Sequence, residues 1–182
     1  DEVDEVVEKL RRLLEDTIRL VREAVDYLRR NLEDLRRKIR EIVERLKRLL
    51  EELRKLVKDT RDEETLKKII EDVRRTVEEL LKELEEILRR SEENVKRVLK
   101  RLEEILKKSS DDLRKELKRV REAGLDEKRV RDAADEVRRM NEEVKKIIDD
   151  ARKELERVHR DVKREIDRVA RELDEEIRRV EK

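Results

Sequence analysis

Hydrophobic residues recur at three- and four-residue intervals along three long blocks of this chain. In the first block, Val3, Val7, Leu10, Leu14, Val21, Val25, Leu28, Leu32, Leu35, Ile39, Val43, Leu46, Leu50, Leu53 and Val57 fall on one face of a helix. The spacing repeats every 18 residues: Val3, Val21, Ile39 and Val57 match, as do Leu10, Leu28 and Leu46. Eighteen residues in five turns is the natural 3.6-residue period of the α-helix. A strict seven-residue repeat would impose a left-handed supercoil and an 11-residue repeat a right-handed one, whereas this repeat imposes neither. The second block carries the same step in Leu66, Leu84, Leu102 and Val120, and the third in Val130, Ile148 and Ile166. The pattern predicts an all-α fold, a long and nearly straight antiparallel three-helix bundle. Its helices are expected at about 2–58, 62–122 and 126–181, in a single domain over 1–182. Helices of about 55 residues would each run roughly 80 Å, giving a rod of about 80–90 Å.

Two breaks divide the blocks. Thr60-Arg61-Asp62-Glu63 reads as a capping box, with the Thr60 hydroxyl and the Glu63 carboxylate covering free amides. Gly124 suits the left-handed residue after a helix end, Leu125 the apolar contact beyond it, and Asp126 the next N-cap. Ser91-Glu92-Glu93-Asn94 and Ser109-Ser110-Asp111-Asp112 also look like breaks, since Ser and Asp favour caps. However, Val73, Ser91 and Ser109 are 18 residues apart, and the apolar phase is the same on both sides. A loop would shift that phase, so both serines read as core-facing residues of one continuous helix.

Composition sharpens this picture. Charged residues make up 59% of the 182, with one Gly and no Pro, where an average domain has about 25% charge. High charge alone would suit disorder, but disorder needs no periodic apolar stripe. The 54 basic and 53 acidic side chains are interleaved and leave a net charge of +1, so no basic stripe offers itself to a phosphate backbone. A single aromatic, Tyr27, gives bases nothing to stack on, which argues against nucleic-acid binding. No apolar run approaches the ~18 residues of a membrane span, and no signal peptide is recognisable, so localisation stays unassigned. Without cysteine there is no disulfide framework or thiol chemistry.

Long repeating stripes, near-equal helices, short breaks and surfaces saturated with Glu, Lys and Arg resemble de novo designed helical bundles of the parametric kind. The resemblance covers the whole chain but rests on style, so it implies a fold and carries over no catalytic or binding residue. Natural spectrin-like three-helix repeats are the competing family. Such repeats usually have shorter helices and aromatic core residues, which this chain lacks.

The chemistry worth following is the polar residues within the stripes. If the first break centres near Arg61, facing residues of helices one and two have numbers adding to about 122. If the second centres near Leu125, those of helices two and three add to about 250. Ser91 then shares a level with Asn31 and His159, and Ser109 with Leu13 and Asn141, Thr17 lying one turn away. The same rule places Val73 with Leu49 and Ile177 in an apolar layer. Asn31, Ser91, His159, Thr17, Ser109 and Asn141 are thus the candidate buried polar network. Tyr27 and Asn94 could extend the first layer at its edge. The competing reading is that these residues sit at stripe margins and meet water.

Buried hydroxyls and amides need partners, and leaving one unpaired costs about 1–3 kcal/mol. Such layers would penalise wrong helix pairings more than they stabilise the right one. Glu156-Arg157-Val158-His159 has the Glu-x-x-His spacing of di-iron bundles, but those need the motif twice, and His159 is the only histidine. No metal, cofactor or catalytic residue is assigned, and no enzyme activity is expected. The expected function is a structural scaffold, a monomer with core polar layers for fold specificity and no implied partner. The alternative is one component of a designed oligomer, suggested by Ile18, Leu20, Tyr27 and Leu56 at the stripe edge.

Overall fold

The computed structural model describes residues 1–181. They form three α-helices: α1 (Glu2–Asp59), α2 (Glu63–Glu122) and α3 (Lys128–Glu181). Good helix formers fill these spans, and neither Pro nor Gly interrupts them. Ser91 and Ser109 lie inside α2, as the unbroken apolar phase requires.

The helix ends show where the chain had to stop. Asp1 caps α1, its Oδ1 accepting from the Val3 amide at 3.2 Å. The capping box expected at Thr60 is not the one that forms. The Thr60 amide still bonds back to the Leu56 carbonyl at 3.0 Å, so Thr60 closes α1 instead of opening α2. Asp62 is the N-cap of α2: its Oδ1 accepts from the Glu64 amide at 3.3 Å and its Oδ2 from the Thr65 hydroxyl at 2.7 Å. The second break follows expectation at its start. Gly124 has φ +66°, the Leu125 amide donates to the Val120 carbonyl and the Gly124 amide to the Arg121 carbonyl. This is the double bond of a Schellman ending, in which the left-handed residue is glycine because a Cβ is disfavoured there. The following N-cap is Glu127, whose carbonyl accepts from the Arg131 amide at 3.0 Å, and not Asp126. Asp126 instead pairs with Arg131 at 3.5 Å.

The chain divides into two compact units, each built from one segment of every helix. Unit 1 comprises Asp1–Arg30 and Asn94–Leu155, and unit 2 comprises Asn31–Glu93 and Glu156–Lys182. In unit 1 the buried cluster joins Val3, Val6, Val7 and Leu10 of α1, Leu113 and Val120 of α2, and Val130, Ala134 and Val137 of α3, with Leu125 packed against it. In unit 2 Leu35, Ile39, Ile42, Leu46 and Leu53 meet Val73, Leu84 and Leu88, and Val162, Ile166, Leu173 and Ile177. The residues of the expected apolar layer belong to this cluster, Val73 and Ile177 buried in it and Leu49 packed against it.

Ion pairs link the helices within each unit. Arg129 reaches Asp4 at 2.8 Å in unit 1, and Arg54 pairs with Glu176 in unit 2, each tying α1 to α3. Arg152 pairs with Glu103 and Asn141 with Ser109 in unit 1, and Glu181 pairs with Arg74 and His159 with Ser91 in unit 2, so α2 runs antiparallel to α3 within each. Apart from the half-buried Arg152 and Glu176, these charges are solvent-exposed, and exposed pairs each contribute about 0–1 kcal/mol.

Candidate functional site

The candidate residues fall into two sets of three, one per unit. In unit 1, Thr17, Ser109 and Asn141 are all buried. The Ser109 hydroxyl donates to Asn141 Oδ1 at 2.8 Å, with Ser109 only 2% exposed. Thr17 is buried on α1 without joining that hydrogen bond. In unit 2, Ser91 and His159 are buried, and Ser91 Oγ lies 3.0 Å from His159 Nε2. Asn31 is half-buried, and its Nδ2 is enclosed without a hydrogen-bond partner. Each layer therefore contains one direct α2–α3 pair, while the α1 member stands apart from it.

The two pairs share a property that burial alone does not give. The residue numbers add to 250 in both, the value that a fold-back near Leu125 implies. An antiparallel helix pair keeps that total constant along its length, so each bond is an independent reading of the α2–α3 register.

Other polar positions carry less. Tyr27, expected at a layer edge, is 49% exposed, and Asn94 is half-buried. Glu116 is a half-buried polar group that the stripe pattern did not single out: its Oε1 is enclosed without a partner, and its Oε2 lies 3.5 Å from Arg119 Nη1. The fold-back rule sets the small, buried Ala134 at the level of Glu116, and a small residue opposite a carboxylate was the signal available.

Burial holds His159 below the ordinary imidazole range, against an opposing pull from the Glu92 carboxylate. The most perturbed carboxyl is elsewhere and exposed. Hydrogen bonds from Arg89, at 2.6 and 3.0 Å, hold Glu86 down at about 2, and Arg90 adds a third at 3.2 Å. Glu86 and Arg90 also line a cleft between α1 and α2 in unit 2, with Lys38, Glu41, Arg45 and Glu83. The cleft mixes acidic and basic side chains, of which Glu86 pairs with Arg90 at 3.2 Å and Glu44 with Arg48 at 3.9 Å.

Ser91 and His159 satisfy the distance of a nucleophile and its base. An acyl-transfer site also needs donors aimed at an oxyanion. Both residues are buried, and Ser91 sits mid-helix, where backbone amides are committed to the helix and cannot stabilise an oxyanion. Among the described residues, no group of three or more His, Cys, Asp or Glu side chains could hold a metal ion. No described helix is long and apolar enough to cross a membrane.

No protein-family model matches this chain, and no curated protein matches it. Among solved structures it is similar to one described as a computationally designed three helix bundle. The two are 17% identical, with a TM-score of 0.49, over 98% of this chain and 85% of that one.

Proposed function

We propose that the chain is a designed structural scaffold in which two buried polar pairs fix the register of α2 against α3. The observation that carries this reading is the shared total of 250 in Ser91–His159 and Ser109–Asn141. Apolar contacts discriminate poorly between registers, because the stripes repeat. Sliding α3 by four residues would set Ser109 level with Val137, Asn141 with Ile105 and His159 with Ile87. Each stranded polar group would then cost about 1–3 kcal/mol. The pairs thus act by making alternatives worse, while adding little to the stability of the correct arrangement.

The test is to replace all four residues with apolar ones: Ser91→Ala, His159→Leu, Ser109→Ala and Asn141→Leu. The expected protein remains helical and at least as resistant to urea, but its amide NMR spectrum shows more than one set of peaks. A single set with unchanged α2–α3 contacts would refute the role. The second reading, a component of a designed oligomer, draws on Tyr27 and Leu56, which are exposed, whereas Ile18 and Leu20 are half-buried. Light scattering separates the two: a mass of 22.4 kDa supports the lone scaffold, and a multiple supports the oligomer.

A further inference from the structure

The two buried pairs differ in one chemical respect. Ser109 and Asn141 have nothing to titrate, whereas imidazole takes up a proton between pH 5 and 8. We infer that the Ser91–His159 layer is an acid-responsive point built into unit 2. Proton uptake at His159 loosens the packing of α3 on α2 there and leaves the Ser109–Asn141 layer of unit 1 unaffected.

The geometry sets how this works. A serine hydroxyl both donates and accepts. Neutral His159 can accept from Ser91 at Nε2, and imidazolium donates from Nε2 to the same oxygen. The 3.0 Å contact therefore survives protonation with its direction reversed. What changes is the charge, which enters a layer flanked by the buried Leu88, Val158 and Val162. The response is accordingly a graded loosening, and it does not require the bond to break.

The charges around the ring set its size. On α2, Glu92 is half-buried and favours the imidazolium. On α1, the residue at this level is the neutral Asn31, and its neighbours Arg30, Glu33 and Asp34 are exposed. On α3 itself, Glu156, Arg160 and Lys163 are exposed. Desolvation outweighs the pull of Glu92, so the folded protein holds the proton more weakly than the unfolded chain. Above the unfolded value, about 6.5, the imidazole is neutral in both states and the layer keeps its full stability. As pH falls through that value, the unfolded chain takes up the proton first and stability drops. The loss levels off once pH passes the folded value.

The test uses the full chain, with amide hydrogen exchange at pH 7.5 and 5.0, corrected for intrinsic rates, and NMR titration of the ring. Acid should increase opening around Ser91 and His159, by up to about tenfold for each unit by which the ring is held down. Amides around Ser109 and Asn141 should stay level. His159→Asn should abolish the difference between the layers. Glu92→Gln should hold the ring lower still and enlarge the acid response. An equal acid response in both layers, or one that persists in His159→Asn, would overturn the inference. So would a Glu92→Gln protein whose ring titrates at or above its original position.

Discussion

Units 1 and 2 meet the same packing requirement with different side chains. In the cluster of unit 1 the buried residues are mainly valine and alanine, with Leu10 and Leu113, and further leucines such as Leu117 and Leu125 pack around them. That of unit 2 is dominated by leucine and isoleucine, among them Leu35, Ile39, Ile42, Leu46, Leu53, Leu84, Leu88, Ile166, Leu173 and Ile177. Yet both units set a serine of α2 against one polar residue of α3 at the same register. The apolar residues are interchangeable fillers of similar stripes, whereas the polar partner is individual. Asparagine gives the pair of unit 1 nothing to titrate, whereas histidine gives that of unit 2 an ionisable ring.

The largest effects should come from the stripes, and should not distinguish the units. Leu102 in unit 1 and Leu84 in unit 2 are both fully buried. Leu102→Ala and Leu84→Ala should each cost about 2–5 kcal/mol in urea unfolding. A cost for either one no greater than that of a surface change would remove that residue from the core.

A smaller effect should follow from breaking one pair. Ser109→Ala leaves Asn141 Oδ1 buried and unpaired, and should cost about 1–3 kcal/mol. Adding Asn141→Leu removes the stranded group and should recover most of that loss, because replacing both partners with apolar groups is close to neutral. A double variant as unstable as the single one would mean that the pair stabilises by more than mutual satisfaction. The smallest effect belongs to the solvated face: Lys145→Ala should stay within about 0.5 kcal/mol.

Much of this was legible in the sequence because it depends on period. The 18-residue step held α2 together through Ser91 and Ser109, where residue preferences alone suggested caps. The fold-back near Leu125 implies the level of each α2–α3 pair, since antiparallel pairing follows from residue number. What was not legible depends on side-chain reach. Level does not determine which rotamer meets which, so nothing in the numbering separates the bonded Ser91 and His159 from Asn31, whose Nδ2 finds no partner. The first turn misled for a related reason. Thr60 and Asp62 are both able caps, and the choice fell to Asp62 because α1 continues far enough to claim the Thr60 amide. The division into two units leaves no mark on the apolar stripe, which keeps one phase throughout.

Register fixed by the two buried pairs is the central claim, and proton NOEs in solution test it most directly. His159 is the only histidine, and Asn141 is one of three asparagines, so their side-chain signals can be singled out. The ring protons flanking His159 Nε2 should show cross-peaks to the Ser91 β-protons, and the Asn141 side-chain amide to those of Ser109. Cross-peaks from His159 to Ile87 and from Asn141 to Ile105 instead would show α3 displaced by one turn and contradict the account.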